Sequence, residues 1–156
     1  MRVGSTRALA ALFLSLFLAG AWRAEAGDYK GTPTCDYCEM FISEKAFGAR
    51  LNTTDGKTLI FDANECLAAF TISKISAKEI KGLSTINYDK PDELLDVKNA
   101  WFLQSDKRPS PMAVNLSAYA TRKEADAVKT SLGGEVLSWD EVVKLIRKRW
   151  FREKID

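Results

Sequence analysis

The chain contains no histidine. That absence removes the imidazole that serves as general base near neutral pH, the middle member of nucleophilic triads, and the commonest ligand of zinc and copper(II). Few hydrolytic mechanisms keep a usable proton carrier without it. Methionine is scarce: beyond Met1 there are only Met40 and Met112. Cysteine is scarce as well, with Cys35, Cys38 and Cys66 the full set. Three thiols cannot all pair within one chain, so at least one is free, metal-bound or bonded to another molecule. Charge of one sign is also missing, since 23 basic residues stand against 21 acidic ones. There is no global electrostatic case for nucleic acid or an acidic substrate.

What is present begins with a leader. Arg2 and Arg7 precede the apolar stretch from Ala8 to Trp22, and Ala24-Glu25-Ala26 fits a small-x-small cleavage rule. The stretch is short for a membrane span, which needs about 20 residues. Residues 1–26 are therefore expected to be a cleaved secretory signal, with the mature protein starting at Gly27 in the periplasm. No cysteine follows the apolar stretch to accept a lipid. Cleavage removes three arginines and Glu25, leaving 20 basic and 20 acidic residues. One local excess remains, in Lys144, Arg147, Lys148, Arg149, Arg152 and Lys154 near the end. It reads either as a solvated helix face or as a docking face for a membrane or partner. Export places the thiols in an oxidising compartment, where a free thiol tends to have a job.

Residues 27–34, with Gly31 and Pro33, read as a flexible lead-in. The Asp55-Gly56 pair between apolar segments predicts a β-hairpin over 46–61. Asp62-Ala-Asn-Glu65 reads as a capping box that starts a helix carrying Cys66, Leu67, Ala68 and Phe70. Ser76 to Glu79 reads as a further helical turn. Residues 86–96, with Pro91, read as a loop or irregular edge strand, and Val97 to Leu103 as a strand. Two prolines make 105–111 a loop. Met112 to Tyr119 reads as a strand with alternate residues on one face. Thr121 and Ser138 each open a capped helix, with Gly133-Gly134 and a short strand, Glu135 to Leu137, between them. The order suggests two similar strand–helix–strand halves stacked into one α+β domain over residues 35–150.

The chemistry-bearing segment is Cys35-Asp-Tyr-Cys38-Glu-Met40. In an extended segment Cys38 and Met40 share a face, which pairs a thiolate with a thioether, a soft donor set that favours copper(I). Met112 follows a polar, proline-bearing loop, an unusual place for a core methionine, although ordinary packing also accounts for both methionines. Zinc needs a fourth ligand, which an acid such as Asp36 would have to supply. A redox Cys-x-x-Cys pair, acting as a thiol-disulfide oxidoreductase through Cys35 and Cys38, is the other alternative, although no helix signal follows the motif to lower a thiol pKa. Cys66 reads as a buried helix cysteine, with a bond to Cys35 left open.

Taken together, Cys35-Asp-Tyr-Cys38-Glu-Met40-Phe-Ile, Phe61-Asp-Ala-Asn-Glu-Cys66, Ala100-Trp-Phe, Ser110-Pro-Met112-Ala and Gly133-Gly-Glu-Val-Leu-Ser-Trp make residues 34–146 resemble the NosL-type accessory proteins of nitrous oxide reductase. The family pattern places Cys-x-x-Cys-Gly-Met early and Pro-Met-Gly late. The resemblance implies two stacked ββαβ-like modules, akin to the organomercurial lyase fold. It implies a periplasmic copper(I) carrier rather than an enzyme, delivering to nitrous oxide reductase or another copper protein. Carried over residue by residue, it makes Cys38, Met40 and Met112 the copper(I) ligands, with Cys35 matching the first cysteine. Three features depart from the pattern. Glu39 replaces the first motif glycine and is expected to hold the backbone at ordinary φ while adding a negative charge. Ala113 replaces the second glycine, and the lipid-accepting cysteine of many members is missing. The recipient protein is therefore open.

Overall fold

The Asp55-Gly56 turn organises the first half of the molecule. In the computed structural model, which describes residues 33–152, Gly56 sits at φ 90° and joins strands β1 (Ala49–Thr53) and β2 (Thr58–Phe61). A left-handed residue suits a tight reversal, and the strands pair antiparallel from Ala49 opposite Phe61 to Asn52 opposite Thr58. Helix α1 (Asn64–Ser73) follows. After it, a 3-10 turn at Ala77–Glu79 is closed by the expected Ser76–Glu79 capping box. Strand β3 (Ile80–Asn87) then returns to pair with β1, and β4 (Lys90–Asp96) pairs with β3, giving the order β2-β1-β3-β4. β4 is the charged edge. Pro91 is tolerated there because an edge strand need not use every amide in the ladder. The expected signal peptide, the lead-in up to residue 32, and Lys154 lie outside the described residues.

The second half repeats the winding. Strand β5 (Trp101–Gln104) pairs with β6 (Leu116–Tyr119), helix α2 (Arg122–Leu132) crosses, and β7 (Glu135–Leu137) pairs with the free side of β5. The order β6-β5-β7 matches β2-β1-β3, so the two expected ββαβ modules are present, with β4 and helix α3 (Trp139–Trp150) as additions. The capping boxes at Thr121 and Ser138 form as expected. Gly134 is required by contact: a Cβ there would lie 2.0 Å from the carbonyl oxygen of Gln104 on β5. Among the described residues, no helix is long and apolar enough to cross a membrane.

One hydrophobic core serves both modules. It joins Leu51 and Phe61 of the first to Phe102 and Leu116 of the second, and α3 adds Val142 and Ile146. α3 packs against α1. Asn64 stitches the halves: its amide donates to the Leu116 carbonyl at 3.3 Å, and its side-chain oxygen accepts from the Thr85 hydroxyl at 2.6 Å. All three residues are fully buried, so each polar group there must find its partner inside the protein. On the outer side of α3, Lys144, Lys148 and Arg149 are exposed. Cations in a last helical turn oppose the negative end of the helix dipole.

Three stretches differ from the sequence reading. Residues 80–96, read as strandless up to 85 and as a loop or irregular edge beyond, form the paired strands β3 and β4. Residues 97–100 form a turn, with β5 starting only at Trp101. Met112 to Asn115 belongs to a loop, with Ala113 at φ 61° and Asn115 at φ 70°. Alternating apolar residues suggested a strand there, but left-handed backbone at two positions cannot stay pleated. The alternation survives only from Leu116, where all four strand residues are buried.

Candidate metal centre

The segment that carries Cys35 and Cys38 is folded back onto itself. Thr34 bridges Phe41, the Ile42 amide donates to the Pro33 carbonyl at 2.8 Å, and the Cys35 amide donates to the Met40 carbonyl at 2.8 Å. Inside this loop the Glu39 amide donates to the Cys35 carbonyl at 2.9 Å. Asp36 fastens the loop to the edge of β2: its amide donates to the Ile60 carbonyl at 2.9 Å, and its carboxylate accepts from the Ile60 amide at 2.6 Å. Tyr37 stacks on Trp150 of α3, with ring centroids 6.2 Å apart.

Two expectations about this loop are corrected. Glu39 lies at φ 63° rather than at ordinary φ. The tight closure between Cys35 and Met40 imposes the left-handed conformation that the family's glycine would adopt freely, and the glutamate adopts it under strain. The segment from Cys38 to Met40 is consequently a turn, so simple strand alternation does not relate those two side chains. Met40 stands 49 % exposed and Cys38 is half-buried.

The loop turns Cys35 inward, where it is buried beside Cys66 in the first turn of α1. The sulfurs of Cys35, Cys38 and Cys66 and a carboxylate oxygen of Asp62 all lie within 4.8 Å of one another. All three cysteines are free thiols, so the Cys35–Cys66 bond left open by the sequence is not formed. Asp62 is 1 % exposed. Its Oδ2 accepts from the Cys38 thiol at 3.5 Å, and its Oδ1 has no hydrogen-bond partner. The fourth donor that a closed site wants is therefore supplied by Asp62, not by Asp36, whose carboxylate is tied to β2.

The thiols differ in their affinity for protons. The Cys66 thiol donates to the Cys35 sulfur, and the backbone amides of Cys38, Asp62 and Tyr37 point at it too; against its burial, these lower the Cys35 pKa to about 6. Burial, together with the negative neighbours Cys35 and Asp62, pushes Cys38 up to about 11. Cys66 is raised further, first by its hydrogen bond to Cys35 and then by burial. The metal-free centre thus carries one thiolate, on Cys35, and two thiols that must release protons to bind an ion.

Asp62 and Glu65 are not the helix cap that the sequence suggested. Ala63 is the N-cap residue and no side chain caps α1. Asp62 turns to Cys38. Glu65, fully buried, accepts from the Ser110 hydroxyl and from the Val114 amide at 3.3 Å. Burial pushes its carboxyl pKa up, against the Ser110 hydrogen bond that lowers it. Because Ser110 and Val114 flank Met112, Glu65 anchors the Met112 loop to the turn of α1 that holds Cys66. Ser110 and Asn115 complete the loop: the Ser110 amide donates to the Asn115 side chain at 3.1 Å, and the Asn115 amide to the Ser110 hydroxyl at 2.9 Å. Met112 is half-buried and, like Cys38, packs on the core cluster that contains Cys35 and Cys66.

Asp62, Glu65 and Cys66 are the residues whose part in the centre the sequence reading missed. The available signal was two carboxylates beside a cysteine at the start of an apolar helix.

Three soft sulfurs with one carboxylate make a set suited to a thiophilic metal ion. No curated protein matches the chain. Among solved structures, the crystal structure of the copper chaperone NosL from Shewanella denitrificans is similar, with a TM-score of 0.63 at 19 % identity, covering 75 % of this chain and 94 % of that one. Residues 28–146 match the family model described as NosL.

Proposed function

This chain belongs to the NosL family, and on that footing we propose that it is an exported copper(I) carrier that loads a recipient copper protein in the periplasm. What supports the reading is the grouping of three free thiols from the Cys35–Met40 loop and the start of α1, with the loop that carries Met112 tied to the same helix start through Glu65. In this reading Cys38 is the thiolate and Met40 and Met112 are the thioethers of an open seat, with Cys35 as a second thiol beside it. Thioethers select a soft monovalent ion over hard cations. Met40 and its neighbour Phe41 are both exposed, so the open seat lies at a surface that a recipient can reach. Nitrous oxide reductase is the recipient to try first, by family kinship, and another copper enzyme would use the same exit. The basic outer face of α3 is a second surface for a partner or an anionic membrane.

The oxidoreductase reading is weaker because Cys35, the thiol of lowest pKa, is 1 % exposed and closed to a protein disulfide. The deciding experiment titrates the reduced protein with copper(I) against a colorimetric chelator, then mixes the loaded protein with copper-free nitrous oxide reductase. Retention of copper(I) and its appearance in the reductase support the carrier. Failure to compete with the chelator, together with turnover of a disulfide substrate without metal, would replace it with the enzyme.

A further inference from the structure

We infer that the centre contains a second, buried copper(I) seat, made by Cys35, Cys38 and Cys66 with Asp62, and that the carried ion rests there before it reaches the open seat. The inference rests on the carrier reading above. Cys35, Cys66 and Asp62 are buried, whereas Met40 is 49 % exposed. A single ion cannot be both shielded by the first group and presented by the second. Cys38, half-buried, within 4.8 Å of the buried donors and two residues before Met40, is the donor they share.

The dimensions suit an ion. A metal–thiolate bond of about 2.3 Å puts two donors on one ion no more than about 4.6 Å apart. Three or four donors around one ion at that bond length sit about 3.8–4.0 Å apart, so the three sulfurs and the Asp62 oxygen, all within 4.8 Å of one another, close the seat with side-chain shifts of at most about an ångström. Asp62 Oδ1 is a second, independent sign. It is a buried carboxylate oxygen with no hydrogen-bond partner among the described residues, and such an atom is costly unless a cation or a donor comes to it.

Loading is ligand exchange with no redox change. Copper(I) enters on Cys38, whose thiol releases its proton to solvent as the sulfur binds, and Cys35 joins as a second thiolate. Cys66 gives up its proton to solvent as its sulfur binds. Hand-over reverses the order: Cys38 keeps the ion while the two buried sulfurs are exchanged for Met40 and Met112. Held inside, the ion is kept from oxidants and adventitious chelators. Moved outward, it sits on weaker thioethers from which a recipient can take it.

The test labels Met40 and Met112 with selenium by growth on selenomethionine, loads one equivalent of copper(I), and reads the copper X-ray absorption edge. A resting ion in the buried seat shows sulfur neighbours without selenium. The Cys66→Ala variant should show selenium at copper, with affinity against the chelator lower by about tenfold or more. Selenium bound to copper in the otherwise unaltered protein would overturn the inference while leaving the carrier reading intact. Absence of tight copper(I) binding in that same protein would instead remove the carrier reading. Should Cys66→Ala fail to fold, the selenium experiment on the unsubstituted chain decides alone.

Discussion

The carboxylate of Glu65 receives the hydroxyl of Ser110 from 45 residues further along the chain, and both partners are buried. This contact, with the Val114 amide on the same oxygen, holds the Met112 loop against the start of α1. Glu65→Ala would leave the Ser110 O–H and the Val114 N–H without an acceptor in the interior. The expected loss is about 1–3 kcal/mol of stability, read from urea unfolding. Glu65→Gln keeps an acceptor of the same shape and should lose less. An alanine variant as stable as the parent would show that the loop is held by something else.

Glu39 and Ala113 sit at φ 63° and 61°, where a side chain is strained. Replacing each with glycine should relieve about 1–2 kcal/mol of backbone strain per site, offset by roughly 0.5–1 kcal/mol of added freedom in the unfolded chain. We expect each glycine variant to melt a few degrees higher. A melting point that is unchanged or lower at both sites would mean that the loops relax without cost to another conformation.

The Cys35 thiol provides a pH readout in the metal-free, reduced protein. Its pKa falls from the ordinary 9.0 to about 6 on folding. A depressed folded pKa means that the native state holds the thiolate more tightly than the unfolded chain does. The resulting stability is complete above about 9 and declines as pH falls from there through about 6. Thiolate ultraviolet absorbance should titrate with a midpoint near 6, vanish in Cys35→Ala, and persist in Cys38→Ala. A midpoint that stays in the ordinary thiol range would place the charge elsewhere.

Met112→Leu is close in volume and should leave the fold intact, as judged by circular dichroism. With the thioether gone, release of copper(I) to a chelating acceptor should slow by about tenfold, roughly 1.4 kcal/mol in the barrier. Equilibrium affinity should change less. Release at the parent rate would take Met112 off the exit path.

Local patterns carried much of the fold. Asp55-Gly56 demanded a reversal, and Thr121 and Ser138 had their glutamates three residues on, so the hairpin and two helices were legible from neighbours alone. The same reasoning misread Asp62 and Glu65. A capping box is a local motif, and nothing in Asp62-Ala-Asn-Glu65 tells that Cys38 and Ser110 will compete for those carboxylates from 24 and 45 residues away. Met112 to Asn115 was misread for a related reason. Its alternation was real, but Glu65 and Asn115 hold that segment in a left-handed loop.

The amino-acid order by itself determined which donors exist: no imidazole, three thiols, two thioethers after the first residue, and hence a soft site or none. It also determined the first hairpin and the capped helices α2 and α3, because turns, caps and apolar periodicity are properties of neighbouring residues, whereas the strand that closes the first winding, β3, was not legible in it. Only the tertiary structure decided that Cys66 and Asp62 join Cys35 and Cys38, and that Glu39 and Ala113 stand where glycine would be at ease. Those outcomes depend on packing between segments distant in the chain, and a backbone will accept local strain when many buried contacts elsewhere require it.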